Sequence, residues 1–229
     1  MDVHGENTFT LPGVFQKQEM KLKEFVKRYG DPYSGMLGID LRSRKNEQIV
    51  KWFLASILYG KPIRESTATM TYRVFESEGV LTPPKILKMG WEGLVSLLDE
   101  GGYTRYDFST AERLLEIFGN LERRYGGDLN RLHASAFDSV DLERRIRELG
   151  RGIGDTTLSI FLRDMRETWD KADPRPSKYV KLSMDRLKTN DLKRFSRTKG
   201  IDIVRLETAL MRLGRDFVRK GKKLELLRE

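Results

Sequence analysis

Apolar residues recur every three or four positions along most of the chain, which is the spacing of an amphipathic helix. The segment NEQIVKWFLASILY is the most apolar stretch and predicts a buried helix that ends at Gly60. Alternating apolar and polar runs, the signature of strands, are few. The pattern predicts an all-α protein with helices at 16–29, 46–59, 64–78, 84–88, 91–99, 109–125, 128–134, 139–149, 154–169, 177–188, 190–197 and 202–220.

The composition excludes several kinds of chemistry. Of the 229 residues 38% are hydrophobic and 34% are charged, which is typical of a globular domain with a strongly charged surface. The chain has no cysteine, so disulfides, thiolate metal sites, iron–sulfur clusters and cysteine nucleophiles are excluded. The two histidines, His4 and His133, lie far apart in the sequence and predict packing or surface roles and no metal site.

No part of the sequence is typical of a membrane or export segment. No apolar run approaches the length needed to span a bilayer. The start, MDVHGENTF, lacks the basic and then apolar layout of a signal peptide. We therefore expect a soluble, cytoplasmic protein without a membrane partner.

The net charge of +9 is concentrated near the C-terminus. From Lys178 to Glu229 there are 16 basic and 7 acidic residues, and the rest of the chain is balanced at 27 of each. A localised basic surface is typical of proteins that bind a nucleic-acid backbone, because each neutralised phosphate releases counterions. A solvated lysine-rich helical end, or attraction to an anionic membrane, would give the same pattern.

The segment LGRGIGDTT (149–157) lies between two predicted helices. Gly152 and Gly154 allow a very tight turn, after which the first amides of the second helix point outward without acceptors. Such a helix N-terminus binds phosphate oxygens without side-chain charge. We expect Ile153 at the tip of the turn and the Thr157 hydroxyl beside it. The alternative is a glycine C-cap and loop between two packed helices.

Several segments together resemble the helix-hairpin-helix glycosylase superfamily, in particular its endonuclease III and adenine-glycosylase group. They are GGYTRYDFSTAERLLEIF, RRYGGDLNRLH, LGRGIGDTTLSIFL and ADPRPS, preceded by VKWFLASILYGKPIRESTATM. The resemblance covers about residues 46–188 and extends loosely to RLETALMRLGRDF. A cysteine cluster often follows that last segment in related proteins, and here the residues are RKGKKLELLRE.

The resemblance implies a two-lobed fold of the HhH-GPD type. A six-helix barrel would occupy 46–158 and end in the hairpin, and a second lobe would be built from 1–45 and 159–229. Double-stranded DNA with a damaged base or an abasic site would lie between the lobes, bound by a monomer. No cofactor is required, although the family pattern allows a monovalent cation on hairpin carbonyls without a catalytic role.

The resemblance also implies a catalytic aspartate, which matches Asp173 in KADPRPSKY. A fixed carboxylate can stabilise the positive charge that develops on the sugar, or orient a water. On the residues alone, the favoured role of Asp173 is to cap the next helix. Bifunctional members carry a lysine in the first turn after the hairpin, where this chain has Thr156. Threonine cannot form an imine, so a monofunctional glycosylase with water as nucleophile is expected.

Three lysines outside that position leave an alternative open. Lys171 and Lys178, which flank Asp173, or Lys61 in the early loop could supply an amine for an abasic-site lyase. A protein that binds damaged DNA without excising a base is a further alternative. Lys178 also belongs to the basic C-terminal quarter, which we expect to contact the DNA backbone.

An enzyme that flips a base must fill the gap in the stack. In the family the loop after the first buried helix does so, and here Tyr59 or Lys61 matches that loop. Tyr103 and Tyr106 could stack on the flipped base. For Tyr59, Tyr103 and Tyr106, packing within the helical core is the competing interpretation.

Overall fold

The computed structural model describes residues 22–220, and all regular elements within that range are helical. The fold class is therefore all-α, as predicted. Short 3-10 helices lie at Leu41–Ser43 and Val218–Lys220. The α-helices are α1 Leu22–Tyr29, α2 Tyr33–Met36, α3 Asn46–Tyr59, α4 Glu65–Ser77, α5 Pro83–Glu100, α6 Asp107–Tyr125, α7 Leu129–Ser135, α8 Ser139–Arg147, α9 Asp155–Met165, α10 Lys178–Arg186, α11 Leu192–Lys199 and α12 Ile203–Asp216.

Helix α3 has the predicted bounds and is largely buried. Residues 52–58 are all buried, so this part of the helix is covered on every side. The indole Nε1 of Trp52 donates to the carbonyl of Phe161 in α9 at 3.1 Å. The rings of Phe53 and Phe161 pack edge to face with centroids 5.0 Å apart. These contacts fix α9 against α3.

Local signals explain several other helix ends. Gly90 has φ 69° and breaks α5 into two pieces, as the separate helices predicted at 84–88 and 91–99 require. The Asp202 side chain accepts from the Arg205 amide and caps α12, as predicted. The predicted part of the first helix before Leu22 lies outside the described residues.

Several elements differ from the prediction, among them α2 and the end of α9. The single turn α2 was not predicted, because four residues are too few for a helical period to be visible. Helix α9 ends at Met165 and not near Trp169, because the chain turns at Arg166, whose side chain binds the loop that follows.

The described chain forms two compact units. The larger comprises residues 37–174, and the smaller combines 22–36 with 175–220. The sequence predicts boundaries at 45/46 and 158/159, which would place all but the first turn of α9 in the terminal lobe. Because α9 packs on α3, it belongs to the larger unit, and Asp173 lies there too.

The smaller unit has its own hydrophobic core, in which α1 and α10 pack against α12. Phe25 of α1, Val180 of α10 and Leu210 of α12 are among its buried residues. The Ser183 hydroxyl donates to the Leu210 carbonyl at 2.7 Å and joins α10 to α12. None of the helices between residues 22 and 220 is long and apolar enough to cross a membrane.

Candidate nucleic-acid interface

The bend between α8 and α9 exposes its backbone and buries its apolar side chains. Arg151, Gly152 and Gly154 are exposed, whereas Leu149 and Ile153 are buried. Gly152 has φ +94°, which residues with a Cβ rarely adopt, so glycine is needed there for the turn. The two buried side chains hold the bend to the larger unit while its tip faces solvent.

Two of the predicted contacts in this bend need correction. Ile153 is 6% exposed, so only its backbone can meet a ligand. Thr157 is 2% exposed, and its hydroxyl is so close to Gly60 that a Cβ there would lie 2.1 Å from the Thr157 Oγ1. Thr157 therefore packs the first turn of α9 against the end of α3, and its hydroxyl is not available to a nucleic acid.

The N-terminus of α9 has no side-chain cap. Its N-cap residue is Gly154, in extended backbone at φ −92° and ψ −175°. The first helical hydrogen bond runs from the Leu158 amide to the Gly154 carbonyl at 3.0 Å. The amides before Leu158 therefore lack intrahelical acceptors, as at every helix start. With a glycine as cap they stay available to an anion.

The charges around the bend are mixed. Arg147 pairs with Asp155 at 2.6 Å and Arg151 with Glu116 at 3.1 Å. Asp155 is the first residue of α9, where a carboxylate competes with a phosphate for the helix dipole. Arg147 offsets that negative charge.

A further cation, Arg113 of α6, lies directly against the bend. A Cβ on Gly152 would be 2.7 Å from the Arg113 Cδ. Arg113 is half-buried, and between the described residues it forms no ion pair. It therefore adds positive charge beside the tip of the bend.

Thr156, the residue at the usual lysine position, is exposed at the second position of α9. Of the hairpin carbonyls proposed for a monovalent cation, that of Leu149 already accepts from the Asn120 Nδ2 at 2.7 Å. One of its two lone pairs is thus used.

Lys61 follows Gly60 in the loop after α3 and is half-buried. Burial, and to a smaller extent the positive charge of Arg113, lower the pKa of the Lys61 ammonium below the ordinary lysine value. Among the described residues no carboxylate lies within ion-pair distance of it to offset this.

The three candidate tyrosines differ in how deeply their side chains are buried. Tyr103 is 1% exposed and its hydroxyl donates to the Leu58 carbonyl at 2.6 Å, so it cannot stack on a base. The Tyr59 hydroxyl lies 2.6 Å from the Thr69 Oγ1, which holds the half-buried ring against α4. Tyr106 is half-buried and packs edge to face on Tyr103 with centroids 6.4 Å apart. The Arg105 guanidinium carbon also lies 5.6 Å from the centroid of the Tyr106 ring, so a cation is already placed beside this ring.

Asp173 is fixed by an arginine that sequence reasoning missed. Its side chain is 42% exposed, and its Oδ1 accepts from the Nη1 of the buried Arg166 at 2.6 Å. The Arg166 Nη2 donates to the Pro174 carbonyl at 2.7 Å. The guanidinium holds the loop in place and offsets part of the charge that the carboxylate would present to a sugar cation. No local pattern predicts such a pairing across seven residues of irregular chain.

The segment that leads to Asp173 is tied down at several points. The Trp169 Nε1 donates to the Asn130 Oδ1 at 2.9 Å, and its indole stacks on His133 with centroids 4.8 Å apart. The Lys171 Nζ donates to the His133 carbonyl at 3.0 Å. His133 is thus a packing residue, as predicted. The amine of Lys171 is engaged with a backbone carbonyl.

The smaller unit carries the basic surface predicted from the sequence. On α11, Lys193, Arg194 and Arg197 are exposed on one side, and Leu192 and Ser196 are buried on the other. Lys178 is also exposed, at the first position of α10, and its Nζ lies 5.0 Å from the centroid of the neighbouring Tyr179 ring.

Comparisons with protein-family models, with curated proteins and with solved structures gave no match to this chain.

Proposed function

We propose that this chain is a DNA repair glycosylase that binds damaged duplex DNA through the α8–α9 bend and hydrolyses the N-glycosidic bond of a flipped base. The observation that carries the proposal is the bend itself. Its tip is exposed backbone, Gly152 allows the turn, and α9 begins without a side-chain cap. Phosphate oxygens of a duplex are the ligands that such amides bind.

The two-lobed HhH-GPD architecture is part of the proposal. Its support is the division into residues 37–174 and a second unit made from chain on both sides of them. The bend lies within the larger unit, near its C-terminal end. The resemblance of LGRGIGDTTLSIFL and ADPRPS to the glycosylase superfamily supplies the reaction class.

In the proposed reaction Asp173 stabilises the positive charge that develops on the sugar as the base departs. The tie to Arg166 keeps the carboxylate in one place, which is a requirement for electrostatic catalysis. Water is the nucleophile, since Thr156 has no amine. The exposed cations of α11 bind further phosphates without sequence preference, and the protein acts as a monomer inside the cell.

A second candidate is a protein that binds damaged DNA and excises nothing. The contact that favours it is the short ion pair of Asp173 with Arg166, because it gives the aspartate a purely structural role in the loop. The two candidates predict different behaviour for a variant that removes only the charge of Asp173.

A panel of duplexes tests both candidates. Each duplex carries one uracil, hypoxanthine, oxidised guanine, alkylated adenine or abasic site, and base release is scored with and without alkali. We expect release from at least one lesion, a loss of about 100- to 1,000-fold in Asp173→Asn, and unchanged DNA affinity in that variant.

Asp170→Asn is the matched control, because Asp170 is 80% exposed and lies three residues earlier in the same segment. It should release the base at nearly the parent rate. Binding to damaged duplexes without release from any of them would favour the second candidate. Failure to bind duplex DNA at all would exclude both.

A further inference from the structure

A small open cleft lies in the smaller unit, where the turn between α10 and α11 meets one side of α11. Its volume is about 210 Å³, and the residues that line it include Lys188, Asn190, Arg194, Phe195 and Thr198. Pockets that enclose a whole small molecule measure about 300–1,000 Å³. A cleft of this size is therefore suited to one charged group of a ligand.

Lys188 and Arg194 give the cleft two positive charges without counter-ions. Both residues are exposed, and neither forms an ion pair with any residue between 22 and 220. Asp191 also lines the cleft, but its Oδ1 accepts from the Arg194 amide at 2.9 Å as the N-cap of α11. Two like charges that line one cleft repel each other, and an anion bound between them removes this repulsion.

Three polar side chains that line the cleft have no hydrogen-bond partner in the described part of the chain. They are the hydroxyls of Thr189 and Thr198 and the amide of Asn190. A phosphate group has three terminal oxygens and carries about two negative charges, so it can accept from cations and from neutral donors at the same time. Hydroxyls beside two cations therefore match a phosphate group.

The backbone at Lys188 is strained for a residue with a Cβ. Lys188 follows the end of α10 with φ 52°, in the left-handed region. Helices α6 and α11 end in the same region with glycines, Gly126 at φ 63° and Gly200 at φ 59°. Glycine would hold this conformation with less strain, so the turn itself does not account for the lysine.

We infer that this cleft binds a phosphate group, with Lys188 and Arg194 balancing its charge and the two threonine hydroxyls donating to its oxygens. A nucleic-acid backbone and a free phosphomonoester both carry such a group. The inference goes beyond the proposed function, because the cleft lies in the smaller unit and involves neither the α8–α9 bend nor Asp173.

NMR titration of the full-length protein at constant ionic strength tests the inference. The three probes are inorganic phosphate, deoxyadenosine 5′-monophosphate and a short undamaged DNA duplex. The amide signals of residues 188–198 should shift and saturate, with a dissociation constant for inorganic phosphate on the order of millimolar. Lys188→Gly and Arg194→Gln should each weaken this binding by about fivefold, the effect of one exposed ion pair.

Lys181→Gln is the matched control, because it removes one exposed positive charge of α10 outside the cleft. Its affinity for the three probes should equal that of the parent. Lys188→Gly has a second readout in urea unfolding. Since glycine relieves the backbone angle, its midpoint should equal or exceed that of the parent, which separates loss of binding from loss of structure.

The outcomes also distinguish the two sources of the phosphate group. Shifts of the 188–198 signals with the two small phosphates alone assign a free phosphomonoester to the cleft. Shifts with the duplex, with or without the small phosphates, assign a backbone phosphate. No shift of these signals with any probe, or parent-like affinity in either variant, would overturn the inference. If the cleft binds phosphate but no lesion duplex loses a base, the glycosylase proposal fails and this inference stands.

Discussion

Replacing Gly152 with alanine should lower the stability of the protein, whereas replacing Gly154 with alanine should mainly weaken DNA binding. At Gly152 the backbone has φ +94°, and an added Cβ would also lie 2.7 Å from the Arg113 Cδ. The arginine side chain can move, but the backbone angle cannot be relieved without opening the turn. Holding a residue with a Cβ in such a conformation costs about 1–3 kcal/mol. We therefore expect Gly152→Ala to lower the free energy of unfolding by about that amount.

At Gly154 the same substitution meets no obstacle. The backbone is extended at φ −92° and ψ −175°, and no heavy atom lies within 4 Å of the added Cβ. The remaining cost is that of alanine as an N-cap residue, about 0.5–1 kcal/mol. The methyl group would, however, stand where a phosphate approaches the amides of α9. Loss of one charge-assisted hydrogen bond, about 1.5–3 kcal/mol, corresponds to about 10- to 100-fold weaker DNA binding.

Tryptophan fluorescence during urea unfolding measures the stability of the larger unit, which Gly152→Ala should lower. The three tryptophans, Trp52, Trp91 and Trp169, all lie in the larger unit that contains the bend. The midpoint should shift more for Gly152→Ala than for Gly154→Ala, with the slope unchanged. Equal shifts for the two variants, or no shift for Gly152→Ala, would refute the reasoning from backbone angle.

Three other predictions concern charged contacts. Arg166→Met should lower the free energy of unfolding in urea by about 1–3 kcal/mol, because Asp173 and the Pro174 carbonyl lose charge-assisted hydrogen bonds. A parent-like midpoint would show that these bonds do not stabilise the fold. Hydrogen bonds from two arginine side chains and from a backbone amide lower the pKa of the Asp141 carboxyl in the folded protein. The ionised carboxylate therefore stabilises the fold above about pH 4, and this stabilisation is lost on acidification. The free energy of unfolding of Asp141→Asn should fall less on acidification than that of the parent, and an equal fall would contradict the assignment. Replacing Arg194 and Arg197 with glutamine should reduce the slope of log affinity against log salt by about 0.9 per lost phosphate contact, and an unchanged slope would remove α11 from the interface.

The sequence predicted most of the helices because helical period and end signals are local. Helix α3 has the predicted bounds, and the break at Gly90 falls between the two predicted pieces of α5. Local capping by Asp202 was also predictable, since the aspartate and its amide partner are three residues apart. The single turn α2 was too short to give a period.

The site was predictable only as far as it depends on backbone. Gly152 could be identified because the positive φ of the turn demands a glycine there. The burial of Thr157 against Gly60, and of Tyr103 beneath Leu58, depends on how α3 meets α9 and the loop before α6. The tie of Arg166 to Asp173 depends on where α9 ends. Such contacts follow from tertiary packing, which a single sequence does not display.

Gly154→Asp, compared with Gly154→Asn, tests the role of the bend most directly. Both side chains can cap α9 and should maintain its stability or raise it by roughly a few tenths of a kcal/mol. Only aspartate adds a negative charge where a phosphate would sit. We predict that Gly154→Asp unfolds at the same or a higher urea concentration than the parent and binds an abasic duplex at least tenfold more weakly than Gly154→Asn. Equal affinity of the aspartate and asparagine variants at low salt would contradict the binding of DNA by the α8–α9 bend.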